Sequence, residues 1–177
     1  MTATDDLEIR GSLPSDESSI KALYPRAFPD EDLLPLVRDL LGHRDSTISL
    51  VAIIDSDIVG NIIFTKGHVD SGRQDAALLA PLAVAPEWQR QGIGSALIRA
   101  GLRRLREEGV SAVYVLGDPE FYGRLGFSAE RSVQTPYPLP SEWADAWQSQ
   151  CLGDVPAPTV GKLSLPGFWL DPTWWSG

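Results

Sequence analysis

Apolar and polar positions along the chain change period several times, and each change marks an element. Leu7 to Arg10 alternates, as a short strand does. From Ser15, read as a helix cap with Asp16 and Glu17 in the first turn, a helix is predicted to about Phe28. Pro29 interrupts, and Asp30 opens a second helix whose Leu33, Leu34, Leu36, Val37, Leu40 and Leu41 share one broad face, with Gly42 as its stop. Two β-branched runs, 48–54 and 58–64, flank Asp55-Ser56-Asp57 and predict a hairpin. Its second strand continues to Val69, and Asp70-Ser71-Gly72 turns the chain again. Ala76 to Val84 is a third apolar strand, interrupted by Pro81. Proline removes a ladder hydrogen bond, so a bulge or a parting of strands is expected there.

A helix from Gly94 to Glu108 follows, with Ala96, Leu97, Ala100, Leu102 and Leu105 inward. Arg99, Arg103, Arg104 and Arg106 form its solvated face, and Gly109 ends it. Ala112 to Leu116 reads as a buried strand, Pro119 opens a short helix, and Gly126-Phe127-Ser128 resumes extended chain. This is the pattern of an α/β domain. Beyond about residue 131, prolines recur and five of the six tryptophans gather. Such a tail is too proline-broken for a core of its own and too aromatic for a free linker, so it reads as an extension packed on the same domain. Trp143 and Trp147, four apart after Ser141, predict one face of a short helix. Core packing is the leading reading of these tryptophans, with Trp169, Trp174 and Trp175 lining an acceptor pocket or a homodimer contact as the alternative.

Composition narrows the function. The net charge of −9 argues against nonspecific nucleic-acid binding and against a polybasic membrane surface. Hydrophobic residues make up 43%, enough for a sizeable core. No run approaches the ~20 apolar residues of a membrane span, and the first residues lack the regions of a signal peptide. A cytoplasmic protein is expected. Cys151 is the lone cysteine, and His43 and His68 stand apart, so neither a disulfide framework nor a Cys/His metal site is expected. His68 reads as structural or exposed, and Cys151 is not read as an acyl-carrying nucleophile.

The chemistry concentrates between Leu78 and Phe127. There an apolar strand runs into Gln89-Arg90-Gln91-Gly92-Ile93-Gly94 and then into the amphipathic helix. A glycine-rich turn entering a helix exposes backbone N–H groups that have no intrahelical partner, at the positive end of the helix dipole. That arrangement suits a pyrophosphate. Ser95 adds a hydroxyl and Arg90 a charge. No lysine follows Gly94, which excludes a P-loop, and Leu97 stands where a dinucleotide fingerprint needs its third glycine.

These residues resemble the GNAT superfamily of acyl-CoA-dependent N-acetyltransferases. Gln89 to Gly94 is similar to its Gln/Arg-x-x-Gly-x-Gly/Ala motif. The preceding strand with Val84-Ala85-Pro86, the following helix and Tyr122-Gly123-Arg124-Leu125-Gly126-Phe127 come in the family's order. Leu-x-Pro-Leu-Ala-Val before the turn and Leu116-Gly117-Asp118-Pro119 before the tyrosine look most like the YhbS-type branch. The resemblance covers about residues 5–135 and implies a mixed, mostly antiparallel sheet flanked by helices, with splayed central strands. The acetyltransferase domain is then 5–135, and 136–177 is the Pro/Trp-rich extension.

By the same resemblance, the backbone of Leu82, Ala83 and Val84 pairs with the pantetheine arm of acetyl-CoA. N–H groups from Gln89 through Arg90, Gln91, Gly92, Ile93, Gly94 and Ser95 to Ala96 hold the pyrophosphate. Tyr122 protonates the departing thiolate after direct attack by a neutral amine, and a backbone N–H near Leu82 or Ala83 polarises the carbonyl. The acceptor is a small-molecule amine or a peptide amine. Many family members carry a glutamate on the cofactor strand; here it has no carboxylate, and Glu31, Asp118, Glu120 or a water chain are left as general bases. That gap favours the alternative of an acyl-CoA-binding module without transferase activity, whereas Tyr122 and the intact turn favour the enzyme. The −9 charge opposes an anionic cofactor, so local N–H groups and arginines must hold it. The same field weakly favours a cationic acceptor.

Overall fold

The computed structural model describes residues 4–70, 74–153 and 160–176. The packing divides into two compact units: residues up to 64 with 81–101, and 65–80 with 102 onward. The first begins with β1 (Glu8–Gly11), then α1 (Glu17–Ala27), α2 (Leu34–Gly42), β2 (Thr47–Ile54) and β3 (Asp57–Val69). The chain continues through β4 (Gln74–Val84), α3 (Ile93–Glu107), β5 (Ala112–Leu116) and α4 (Pro119–Gly123). It ends with β6 (Ser128–Ala129), β7 (Val133–Gln134), β8 (Trp147–Cys151) and β9 (Gly161–Ser164). The sheet is mixed and mostly antiparallel, with helices flanking it, as the sequence implied. Strands β3 and β4 and helix α3 each start in one unit and end in the other.

In the first unit β1 pairs antiparallel with β2, and β3 lies beside β2. Asp55 and Ser56 both take positive φ, 51° and 69°, in a two-residue turn that matches the twist of its strands without a glycine. The core is Ile20, Leu23 and Tyr24 of α1, Leu36, Val37, Leu40 and Leu41 of α2, and Ile62, Ile63 and Phe64 of β3. The N-terminal part of α3 adds Ile93, Leu97 and Ile98. Gly101 seats that helix: a Cβ there would stand 2.1 Å from Cε2 of Phe64. Tyr24 is buried and donates to Oδ1 of Asn61 at 2.6 Å, while Nδ2 of Asn61 donates to Leu50 O and Ser49 Oγ.

Two expected helix starts shift. Ser15 is exposed and caps nothing; the carboxylate of Asp16 instead accepts the N–H of Leu13 at 2.7 Å, and Pro14–Asp16 forms a 3-10 turn before α1. The second helix starts at Leu34 and not at Asp30, because Oδ1 of Asp32 takes the N–H of Leu34 in a local turn. The turn expected at Asp70–Gly72 falls largely on residues outside those described.

In the second unit β4 and β5 run parallel, joined through α3. Their ladder covers Ala76, Ala77 and Leu78 against Ala112, Val113 and Tyr114 and goes no further. β5 continues to Leu116 against β8, antiparallel along all of Trp147–Cys151. The strand pair thus parts ahead of Pro81, as the proline predicted. Ser128 and Ala129 of β6 add to the far side of β8, and β9 pairs with the end of β3 and with β7. The helix expected over Trp143 and Trp147 does not form. Ser141–Trp143 is a single 3-10 turn and Trp147 begins β8, where β5 supplies a ladder that outweighs helical spacing.

Three of the tail's five tryptophans are core, while Trp143 and Trp174 are half-buried. Trp147, Trp169 and Trp175 are 4%, 4% and 2% exposed, with Trp175 at 6.1 Å from Trp147 and 5.9 Å from Trp169 between ring centroids. Each indole N–H is satisfied: Trp147 on Val133 O, Trp169 on Thr65 Oγ1, Trp175 on Trp169 O. Arg106 is not a purely solvated residue of α3, since its Nε donates to Leu152 O at 2.6 Å and ties the helix to the tail.

Candidate functional site

The residues singled out by sequence fall into two groups, one in each unit. In the first unit Leu82 to Ala96 is continuous: the end of β4, a 3-10 turn at Pro86–Trp88, the loop 89–92 and the first turn of α3. Ala83 is buried, and Leu82 and Val84 are half-buried. The loop is shaped by its own side chains. Gln89 donates to Val84 O at 3.0 Å and Gln91 to Glu87 O at 3.1 Å. Glu87 in turn receives Arg26 of α1 at 2.6 Å, which holds its carboxyl below the usual carboxylate range. The residues before the helix are therefore fixed from both sides, by β4 and by α1.

Arg90 and Gly92 sit at positive φ, 61° and 87°. Gly92 is exposed, and a Cβ on it would meet no atom within 4 Å, so space is open above the turn. The first ladder bond of α3 runs from Ala96 N–H to Gly92 O at 3.0 Å. The N–H groups of Ile93, Gly94 and Ser95 precede it and point out of the helix start. A fifteen-residue helix begins here, so the dipole adds to these donors. Open space, free N–H donors and a left-handed glycine fit a phosphate-bearing ligand.

The second group belongs to the second unit. Tyr122 lies on α4, 9% exposed, with its ring edge-on to Phe121 at 5.0 Å and to Phe127 at 5.6 Å. Its hydroxyl has no hydrogen-bond partner among the described residues. Burial pushes its pKa up to about 12. It is a weaker acid than an ordinary phenol, and better suited to donating a hydrogen bond to a developing thiolate than to surrendering its proton outright. Two of the candidate bases stand on the same short helix and are occupied. Asp118 caps it by accepting the N–H of Glu120 at 2.9 Å, and Glu120 pairs with Arg124 at 2.8 Å. Glu31 is exposed in the loop between α1 and α2 of the first unit.

Sequence reasoning missed Gly117. A Cβ there would come within 2.5 Å of the Tyr122 ring, so the glycine between β5 and α4 sets where that ring lies. A glycine directly after a buried strand and five residues before the tyrosine was the available signal.

The sequence profile of the acetyltransferase (GNAT) family matches residues 17–127. The chain belongs to that family. Among GNAT relatives, the uncharacterized N-acetyltransferase YjhQ of Escherichia coli strain K12 is 37% identical over 158 residues, 84% of this chain and 86% of that protein. The structure resembles YhbS of Escherichia coli, solved in complex with CoA, with a TM-score of 0.83 and 30% identity over 93% of this chain and 92% of that one. It also resembles a GNAT acetyltransferase of Brucella melitensis, solved with acetyl-CoA, at a TM-score of 0.73 and 27% identity over 92% and 97%. Among the described residues no helix is long and apolar enough to cross a membrane.

Proposed function

We propose that the chain carries out its family's acetyl-CoA-dependent N-acetyl transfer, to a small-molecule or peptide amine, through the residue groups described above. The observation that carries this reading is the loop 89–92 with the first turn of α3, where the space at Gly92 is open and the N–H groups of Ile93 to Ser95 precede the first ladder bond of the helix. Those donors, with Gln89, Arg90, Gln91 and Ala96, would hold the pyrophosphate, and the backbone of Leu82 to Val84 the pantetheine arm. Val84 O already accepts from Gln89, so a ligand there would use the carbonyl's second lone pair. Acetyl-CoA supplies the activated thioester.

In this reading, a backbone N–H of Leu82 or Ala83 polarises the acetyl carbonyl while a neutral amine attacks. Tyr122 donates its hydroxyl hydrogen bond to the departing sulfur. With Asp118 and Glu120 engaged in a cap and an ion pair, we assign the amine's proton to water. We assign residues 5–135 to the acetyltransferase domain and 136–177 to its extension; the pairing of β8 along the whole of β5 supports that the extension is built into the same fold.

Two measurements test the proposal. Millimolar acetyl-CoA should raise Tm, because a ligand that binds only the folded state stabilises it. Thiol release from acetyl-CoA across polyamines, amino acids, aminoglycosides and peptides should reveal turnover with at least one amine. Absence of any Tm rise would overturn the cofactor site. A rise without thiol release on any acceptor would leave only an acyl-CoA-binding module.

A further inference from the structure

We propose that the groove beside Trp147 in the second unit binds a free apolar amino acid in its zwitterionic form. The groove has a volume of about 430 Å³, within the range of small-molecule sites. Its apolar floor is Val133, Leu139 and Trp147. The indole N–H of Trp147 is consumed by Val133 O at 2.8 Å, so the ring offers a ligand only its apolar surface. That ring is held by stacking on Tyr114 at 5.6 Å and by edge contact with Trp175 at 6.1 Å. The floor is preformed, which spares a ligand the cost of ordering it.

The charges of the wall are of three kinds. Glu130 is anchored: its Oε2 accepts the N–H groups of Ser132 at 2.8 Å and Val133 at 3.0 Å, and its Oε1 accepts Ser149 Oγ at 2.8 Å. Three of about four acceptor positions of that carboxylate are filled, which leaves room for one further donor on a fixed anion. Arg131 is neutralised by Asp145 at 2.6 Å. Lys162 of β9 lines the same groove, is exposed, and has no carboxylate partner among the described residues. One fixed anion with spare capacity, one cation without a carboxylate partner among the described residues and an apolar floor complement a ligand that carries an ammonium, a carboxylate and an apolar body. A simple amine would leave Lys162 unmatched, and a simple carboxylic acid would leave Glu130 unmatched.

This inference stands apart from the acetyl-CoA reading, and its test uses no acetyl-CoA. Full-length protein is titrated calorimetrically with L-leucine and L-phenylalanine, then with isoamylamine and 4-methylpentanoate, which keep the apolar body but carry one charge each. The amino acids should bind, and each one-charge analogue should bind about tenfold more weakly or worse, the usual cost of a lost charge-assisted hydrogen bond. Lys162→Ala, at an exposed position, should weaken leucine by a similar factor and leave isoamylamine unchanged. Glu130→Gln should do the converse, weakening leucine and sparing 4-methylpentanoate. No heat from either amino acid at millimolar concentration would overturn the proposal. So would analogues that bind as tightly as leucine, or leucine binding indifferent to Lys162→Ala in a variant whose circular dichroism and Tm match the parent.

Discussion

A Cβ added to Gly117 would stand 2.5 Å from Cε2 and 3.0 Å from Cδ2 of Tyr122, so the tyrosine ring lies against bare backbone where β5 hands over to α4. The ring is also held edge-on by Phe121 and Phe127, and its place is therefore set by three residues rather than by its own rotamer. Gly117→Ala must push the ring or the start of α4 aside. We expect kcat to fall about as far as it does in Tyr122→Phe, with the KM for acetyl-CoA much less affected, and stability to fall by about 1–3 kcal/mol, as overpacking usually costs. Steady-state kinetics beside a urea melt check this, and an alanine variant with full kcat would remove the ring's position from the mechanism.

The hydroxyl of Tyr122 makes a separate prediction. Burial raises its pKa to about 12, so it keeps its proton at every pH at which the enzyme is assayed. Any descending alkaline limb of kcat below about pH 11 must come from another group, and the rising acid limb should follow the acceptor amine. Tyr122→Phe should lower kcat by about 10²-fold without moving either limb. The stability effect has a definite sign. The folded pKa lies above the unfolded value of about 10, so the contribution is complete below pH 10 and is lost as pH rises toward 12. Loss of an alkaline limb in the phenylalanine variant would contradict the assignment.

The turn before α3 gives a binding prediction. Gly92 takes φ +87°, and a Cβ added to it would have no atom within 4 Å, so a side chain there meets backbone strain and the space a ligand would need, rather than protein. Gly92→Glu should cost about 1–2 kcal/mol in the left-handed conformation and set a carboxylate where a pyrophosphate would sit. The Tm rise with acetyl-CoA should vanish while the variant alone melts only a few degrees below the parent. Gly92→Ala shares the strain without the charge and should keep part of the rise. A full rise in the glutamate variant would place the cofactor elsewhere.

Much of this was legible in the sequence, for local reasons. Ile48–Phe64 announced its hairpin because β-branched residues and a polar turn act within a few positions. Pro81 announced the parting of β4 from β5 because a missing N–H is a property of one residue. The loop 89–92 announced its helix start for the same kind of reason. What could not be read depends on distant partners. Trp147 has helical spacing to Trp143, yet it joins β8 because β5 offers it a ladder, and that pairing is set by residues more than thirty positions away. Gly117 matters only through the ring it faces. Asp118 and Glu120 were offered as bases, and only their bonds to backbone and to Arg124 show how they are engaged.

Asn61 carries a stability prediction inside the first unit. It is fully buried, receives the hydroxyl of Tyr24 at 2.6 Å, and donates to Leu50 O at 2.9 Å and Ser49 Oγ at 3.0 Å. The tyrosine hydroxyl is so enclosed that its pKa is driven far above the phenol range, which marks the cost of leaving it unpaired. Asn61→Ala strands that hydroxyl and should cost about 2–4 kcal/mol. Tyr24→Phe removes the donor instead and should cost about 1 kcal/mol. In the double variant the two costs should fall short of their sum, since no polar group is left stranded on the tyrosine side. Chemical denaturation of the four proteins measures this coupling, and strict additivity would mean the bond carries no energy.

Asp16 links the fold to acid. Arg10 of β1 reaches its carboxylate with both terminal nitrogens, at 2.7 Å and 3.1 Å, and the N–H of Leu13 adds a third bond at 2.7 Å. These donors, the guanidinium foremost, hold the Asp16 carboxyl below its ordinary range. A depressed folded pKa stabilises the native state above the unfolded value of about 3.9, and that contribution disappears as pH falls through the folded pKa. Asp16→Asn should therefore lower stability at pH 7 by up to about 1 kcal/mol, the range of a partly exposed ion pair, since it removes the charge that Arg10 meets. It should matter far less at pH 2–3, where the parent has lost the same interaction. Urea melts of both proteins across this range should converge as pH falls; a gap that stays constant would mean that packing at Asp16, and not its charge, supports the start of α1.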